Sequence, residues 1–162
     1  MNIEIIKVGS LETNCYVVSI NNHLYVIDPG DELDKILDLI GNRKVDSILV
    51  THRHFDHIGA LNLLKNKYHL EENTNIYDFK VINFPGHTKD SIAFYNEDNN
   101  VMFSGDFVFK GGIGRTDLGG SFGDMCNSIS NLCNYNDNLV IYPGHGDKTT
   151  LGDERKNLTR YI

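Results

Sequence analysis

Apolar and polar residues alternate from Ile3 to Val8, which predicts a β-strand. Cys15 to Ile20 and Leu24 to Ile27 predict two more, joined through Asn21-Asn22, a pair suited to a tight hairpin turn. Asp28-Pro29-Gly30 ends the third strand. The spacing then changes: Leu33, Ile36, Leu37 and Ile40 recur at helical intervals, which predicts a helix from Glu32 to Ile40 with Gly41 as its C-cap. The run Ser47-Ile48-Leu49-Val50 reads as a buried strand. A helix beginning near Ile58-Gly59-Ala60 follows, with Leu61 and Leu64 on one face and an end near Tyr68. Short strands are expected at Ile76-Tyr77, Val81 to Phe84, Ser91 to Tyr95 and Val101 to Ser104, the last two forming a hairpin across Asn96 to Asn100. Phe122 to Cys133 is a helix with Met125, Ile129 and Leu132 inward. Leu139 to Tyr142 is the last clear strand. Thr149 or Thr150 caps a short C-terminal helix carrying Leu158 and Ile162.

Four of these strands end in the same way, with a histidine or aspartate just past the C-terminal end. Val50 leads to His52, Phe84 to His87, Ser104 to Asp106 and Tyr142 to His145, often after a glycine that lets the backbone turn sharply. The first exit is the richest: Thr51-His52-Arg53-His54-Phe55-Asp56-His57. In an extended segment side chains alternate, so His52, His54 and Asp56 face one way and Arg53 and Phe55 the other. His57 breaks that parity where the chain turns into a helix. One loop can then aim two imidazoles at one metal ion and an Asp-His pair at a second. Imidazole and carboxylate together suit zinc, manganese or iron, and the absence of thiolate argues against a structural cysteine site. The blander reading is a polar loop with chance histidines, but three His and one Asp directly after a strand are hard to obtain that way. A lone loop histidine is usually a surface or a satisfied core group, and His23 and His69 are read so. His87, Asp106 and His145 gain weight only as members of a set of seven.

Composition narrows the class. The chain has 162 residues, which fits a single domain over residues 1–162, and 40% hydrophobic and 23% charged residues are ordinary for a globular protein. The formal net charge is −7, and no basic run exceeds Arg43-Lys44, so nucleic-acid binding has no electrostatic footprint. No apolar run is long enough for a membrane span, and Met1-Asn2-Ile3-Glu4 does not open a signal peptide, so a cytoplasmic protein is expected. Cys15, Cys126 and Cys133 form no disulfide framework and read as reduced core residues. The glycine-rich stretch Gly111 to Gly120 lacks a Gly-Lys-Ser/Thr ending and dinucleotide spacing, which excludes a nucleotide cradle.

The set His52-x-His54-x-Asp56-His57, His87, Asp106 and His145 resembles the signature of the metallo-β-lactamase fold superfamily, and the resemblance runs over nearly the whole chain. It implies an α+β fold, a four-layer αββα sandwich of the metallo-β-lactamase type; the chain is expected to depart from larger family members in having no separate C-terminal helical domain. By the same resemblance His52, His54 and His87 are ligands of a first metal ion and Asp56, His57 and His145 of a second. Asp106 is the carboxylate that bridges both. Two divalent ions are implied, zinc first, with iron or manganese as alternatives. The chain is most similar to the glyoxalase II-like (hydroxyacylglutathione hydrolase) branch. Asp106 in place of a cysteine points away from β-lactamases of the common zinc type. The implied function is metal-dependent hydrolysis of a small-molecule thioester or ester by a metal-bound hydroxide, with Asp56 and Asp106 catalytic. Gly114-Arg115-Thr116-Asp117 resembles the segment that places a basic residue for the substrate's carboxylate, which makes Arg115 a substrate-binding candidate; Tyr16 and Lys110 are further candidates for substrate contact. Two alternatives follow from the same residues: a persulfide dioxygenase with one iron on His52, His87 and Asp106, and a non-catalytic metal-binding member of the fold.

Overall fold

The computed structural model describes residues 1–162, which fall into two compact units, Met1–Asp78 and Phe79–Ile162. The first unit is built on a four-stranded sheet in the order β1-β2-β3-β4, from Asn2–Val8, Thr13–Ile20, His23–Ile27 and Ser47–Leu49. β1, β2 and β3 are antiparallel neighbours, and β4 returns parallel to β3 through helix α1, Leu33–Ile40. The β2–β3 hairpin pairs Ile20 with His23, so its loop is the two residues Asn21 and Asn22, with φ of 48° and 68°. Asparagine tolerates those left-handed values, and a turn of this hand matches the twist of the strands.

One face of this sheet, with Cys15, Val17, Leu24, Val26 and Ile48, packs on Ile36 and Ile40 of α1 and on Leu61 and Leu64 of helix α3, Leu61–Tyr68. Between β4 and α3 lies one helical turn, α2, Phe55–Ile58. α1 ends as its sequence predicts: Gly41 takes φ 61° and its N–H donates to the carbonyl of Leu37. The expected strand at Ile76-Tyr77 does not form. Beside β4 lies Asn73 instead, whose N–H donates to Ile48 O (2.8 Å), while its side chain accepts from Val50 N (2.8 Å) and donates to Val50 O (3.1 Å). One asparagine thus satisfies backbone groups at the end of β4 through both its main chain and its side chain.

His23 is not simply exposed. Its Nδ1 lies 2.7 Å from Asp78 Oδ2, and its ring is tilted against that of Tyr77, 4.6 Å between centroids. Asp78 also accepts from Tyr25 Oη (2.6 Å) and Asn21 Nδ2 (2.8 Å), and its side chain is only 6% exposed. Burial alone would raise the Asp78 pKa, but the bonds from Tyr25, Asn21 and His23 outweigh it and hold the carboxyl below its usual value. A depressed folded-state pKa gives stability that is present above the unfolded value, near 3.9, and lost as pH falls through the folded value. Asp78→Asn is therefore expected to cost about 1–3 kcal/mol near neutral pH, because it weakens the bonds of a buried Tyr25 hydroxyl. The difference from wild type should shrink below about pH 4, as checked by urea melts across pH. An equal deficit at every pH would show that the charge of Asp78 contributes nothing.

The second unit carries a five-stranded sheet in the order β11-β10-β7-β6-β5. Its strands are Lys80–Asn83 (β5), Ile92–Asn96 (β6), Val101–Gly105 (β7), Val140–Pro143 (β10) and Thr149–Thr150 (β11). Two short strands absent from the sequence reading, Val108–Phe109 (β8) and Gly112–Ile113 (β9), pair as a small ribbon. Helices α4, Phe122–Leu132, and α5, Leu151–Leu158, lay Met125, Ile129, Leu132, Leu151 and Leu158 on a core with Phe84, Met102, Phe107 and Ile141. Thr150 is the N-cap of α5 and accepts from Asp153 N. Ile162 lies beyond that helix and is 56% exposed, so it is not a core residue. Cys15 is fully buried, whereas Cys126 and Cys133 are half-buried on α4 and at its end; all three are free thiols. Burial first, and the charge of Asp28 second, push the Cys15 thiol well above its usual pKa, so it stays protonated.

Candidate metal centre

The first unit gathers four of the seven expected ligands. After β4 the chain passes through His52-Arg53-His54 and then closes one helical turn, with His57 N donating to His54 O at 3.0 Å. The helix thus starts at Phe55, earlier than the spacing predicted, so extended alternation does not set the direction of Asp56. The sidedness it predicted is nevertheless present: Arg53 and Phe55 are exposed, His52 and His57 are buried, and His54 and Asp56 are half-buried. The ring centroids of His52 and His57 are 4.1 Å apart and those of His52 and His54 4.8 Å. Two glycines let α2 press onto the exit of β3. A Cβ at Gly30 would lie 1.7 Å from the carbonyl oxygen of Asp56, and one at Gly59 2.2 Å from that of Gly30.

Asp28 organises this loop, and sequence reasoning missed it by reading the residue only as a strand terminator. It is buried, takes φ 52°, and accepts from Thr51 N (2.7 Å) and Thr51 Oγ1 (2.7 Å). His57 Nδ1 lies 3.0 Å from Asp28 Oδ2. A carboxylate accepts only, so Nδ1 of His57 carries the proton and the ring lone pair sits on Nε2. The same logic reaches His52. The Thr51 hydroxyl gives its proton to Asp28, so it can only accept from His52 Nδ1, 3.2 Å away. Asp56 is steadied separately by Thr13 Oγ1, which donates to its Oδ2 at 2.8 Å, and that oxygen lies 3.5 Å from His57 Nε2.

The second unit gathers the other three. β10 and β7 are parallel neighbours, with Pro143 opposite Gly105, so Asp106 and His145 leave the same edge of the sheet. His87 follows Pro85-Gly86, whose backbone lies so close to α4 that a Cβ at Gly86 would be 2.6 Å from Met125 Cα. Asp106 Oδ2 lies 3.5 Å from His87 Nε2 and 3.5 Å from His145 Nε2. Two donors each about 2.1 Å from one tetrahedral ion sit about 3.4 Å apart, so the spacing is compatible with ligation of one ion. His87 Nδ1 lies 2.7 Å from the carbonyl oxygen of Arg115, which again places the proton on Nδ1 and the lone pair on Nε2. In His52, His57 and His87 the same ring nitrogen is therefore turned toward metal chemistry. The residues present fit imidazole-and-carboxylate ligation.

The glycine-rich stretch has its role here. A Cβ at Gly114 would lie 1.8 Å from the carbonyl oxygen of Asp106 and 3.1 Å from His87 Nδ1. Gly120 lies equally tight on the carbonyl of Gly86. The stretch is a backbone brace behind two of the ligand candidates, His87 and Asp106. Arg115, the substrate-binding candidate, is exposed and held by Asp117 through Nε (2.8 Å) and Nη2 (2.7 Å). That bidentate pair brings the Asp117 pKa down to about 2, so both stay charged at neutral pH. Lys110 is exposed and 3.3 Å from Asp147, and Tyr16 is buried.

The pattern of the Metallo-beta-lactamase superfamily matches residues 8–72 and 78–145, which takes in all seven ligand candidates. The chain belongs to the metallo-beta-lactamase superfamily. Its α+β fold is the αββα sandwich fold of that superfamily. Over 206 aligned positions the chain is 31% identical to hydroxyacylglutathione hydrolase GloC of Haemophilus influenzae, covering 97% of this chain and 96% of that protein. The di-iron-bound form of TTHA1623 superposes with a TM-score of 0.86 at 30% identity, covering 94% and 97% of the two chains. ETHE1 from Myxococcus xanthus superposes with a TM-score of 0.87 at 23% identity, covering 99% and 84%, which is a likeness of fold. The fold is one that binds metal ions, and relatives within the superfamily include hydrolases. No helix is long and apolar enough to cross a membrane.

Proposed function

We propose that this chain is a metal-dependent hydrolase of small-molecule thioesters or esters, similar in chemistry to hydroxyacylglutathione hydrolase. The observation that carries the reading is the prepared donor set. Three imidazoles have Nδ1 committed to acceptors behind them, and one carboxylate oxygen stands 3.5 Å from two further ring nitrogens. His52, His54 and His87 are a group that could hold one ion, and Asp56, His57 and His145 a group that could hold another. His52, His57 and Asp106 group as well, which suits Asp106 as the shared carboxylate. A relative at 30% identity that binds two irons supports two ions over one. The donors accept zinc, iron or manganese.

Bound there, a pair of divalent ions would supply an acidified water, with a pKa of about 7, and a Lewis acid for the carbonyl oxygen. The chain's own residues do the rest. Thr13 fixes Asp56 Oδ2, so that carboxylate can orient the proton of the attacking water. Asp28 and the Arg115 carbonyl hold the tautomers of His57 and His87, keeping ligand geometry fixed through turnover. A thiol leaves with a pKa of about 8.5, so no strong general acid is required, and none stands spare among these residues. A dioxygenase with one iron would use only His52, His87 and Asp106, leaving the Asp56, His57 and His145 group without a role.

The test is a panel of acyl thioesters, esters and glutathione persulfide, assayed before and after removal of metal by a chelator. Thioester or ester turnover that vanishes on stripping and returns with divalent metal is expected. Oxygen consumption on the persulfide, or hydrolysis indifferent to the chelator, would refute the reading.

A further inference from the structure

A pocket of about 280 Å³ opens beside the metal loop of the first unit. This is just below the range of about 300–1,000 Å³ that drug-sized ligands occupy, a size suited to one short substituent. Its walls come from the β1–β2 turn, the exit of β3 and α2, and they include Asp56, one of the proposed ligands. Val8, Leu11 and Phe55 supply the apolar surface, and Gly30 and Gly59 complete the lining beside them. Leu11 is 51% exposed and Phe55 74% exposed, a high value for an aromatic ring on a buried ligand loop. Phe55 does no packing work for the core of its own unit. The pocket's lining holds two carboxylates, Asp31 and Asp56, and no Lys or Arg.

We propose that this pocket takes the acyl group of the substrate, and that it selects uncharged apolar acyl chains over anionic ones. The inference rests on the hydrolase reading above, since it assigns the acyl half of that substrate. Leu11 and Phe55 are the specificity-determining residues: they cover an alkyl chain laid along the pocket and remove it from water. Asp31, with no Lys or Arg in the lining to pair with it, disfavours a carboxylate-terminated acyl group. A chain that leaves the pocket half-filled forfeits the contact, and a methylene in such a pocket discriminates by at least about tenfold.

The experiment uses the metal-loaded protein and three thioesters of one thiol: acetyl, hexanoyl and succinyl. The expected order of kcat/KM is hexanoyl first and succinyl last. In Phe55→Ala and Leu11→Ala the hexanoyl-to-acetyl ratio should fall at least about tenfold with metal content unchanged, and in Asp31→Asn the succinyl penalty should shrink. Hydrolysis with no preference between acetyl and hexanoyl, or a ratio unmoved in both alanine variants, overturns the pocket while leaving the hydrolase reading intact. If no thioester is cleaved, hexanamide is titrated against the metal-loaded protein and the methyl NMR signals of Val8 and Leu11 are followed. Shifts with hexanamide but not succinamate would keep the pocket while the hydrolase reading falls, and unmoved signals would overturn the pocket as well.

Discussion

Asp106→Ala is expected to abolish metal-dependent hydrolysis. Its carboxylate oxygen lies 3.5 Å from both His87 Nε2 and His145 Nε2, so truncation takes a shared negative charge from between two ring nitrogens. Loss of one preorganised electrostatic group typically costs roughly 10²–10³ in rate. Asp106 serves both proposed ions, so its loss should reach the upper end of that range or beyond. The fold should survive, because the side chain fills no place in the apolar core of its unit. His54→Ala is the companion: half-buried and outside the core, it too should stop turnover without unfolding the chain. Circular dichroism and metal analysis should accompany the kinetics. Wild-type turnover in either variant would refute the proposed site.

The second large effect lies in the backbone behind the ligands. Gly114→Ala places a methyl carbon 1.8 Å from the Asp106 carbonyl oxygen and 3.1 Å from His87 Nδ1. The obstruction is main chain, so it cannot rotate away; the loop must move and take His87 and Asp106 with it. Overpacking of this kind costs about 3 kcal/mol or more, a fall in Tm of about 6–12 °C for a chain of this size. Gly112→Ala is the matched control, since its added methyl would meet nothing within 4 Å. The two variants should therefore separate in both melting temperature and metal retention. Equal behaviour would mean that the glycine-rich stretch does not brace the ligands.

These two cases show where the sequence is readable and where it is not. Local signals carried through. The Asn21-Asn22 turn forms as a two-residue hairpin, the α1 stripe of Ile36 and Ile40 is buried, and Gly41 caps the helix. Each depends on a few neighbouring residues whose conformational preferences agree. The candidate ligands were legible for a related reason, because a histidine or aspartate at a strand exit has few competing explanations when the pattern recurs four times.

What stayed hidden depends on partners distant in the chain. Asp28 acts through Thr51 and His57, 23 and 29 residues away, and nothing around Asp28-Pro29-Gly30 announces them. Gly114 reads as one loop glycine among several until the Asp106 carbonyl is found against it. Ile76-Tyr77 has strand propensity, yet no strand forms there, and the neighbouring segment meets β4 through the side chain of Asn73. Phe55 reads as the outward member of an alternating strand and is instead the first residue of a helical turn, at the mouth of a pocket. In each case a tertiary contact overrides or supplements the local preference.

The most direct test of the central claim is the identity and number of metal ions on protein purified without chelators, measured by inductively coupled plasma mass spectrometry. Two divalent ions per chain are expected, falling to one or none in Asp106→Ala. A wild-type chain that holds no transition metal, or one that holds a single ion unaffected by loss of Asp56, His57 or His145, would contradict it.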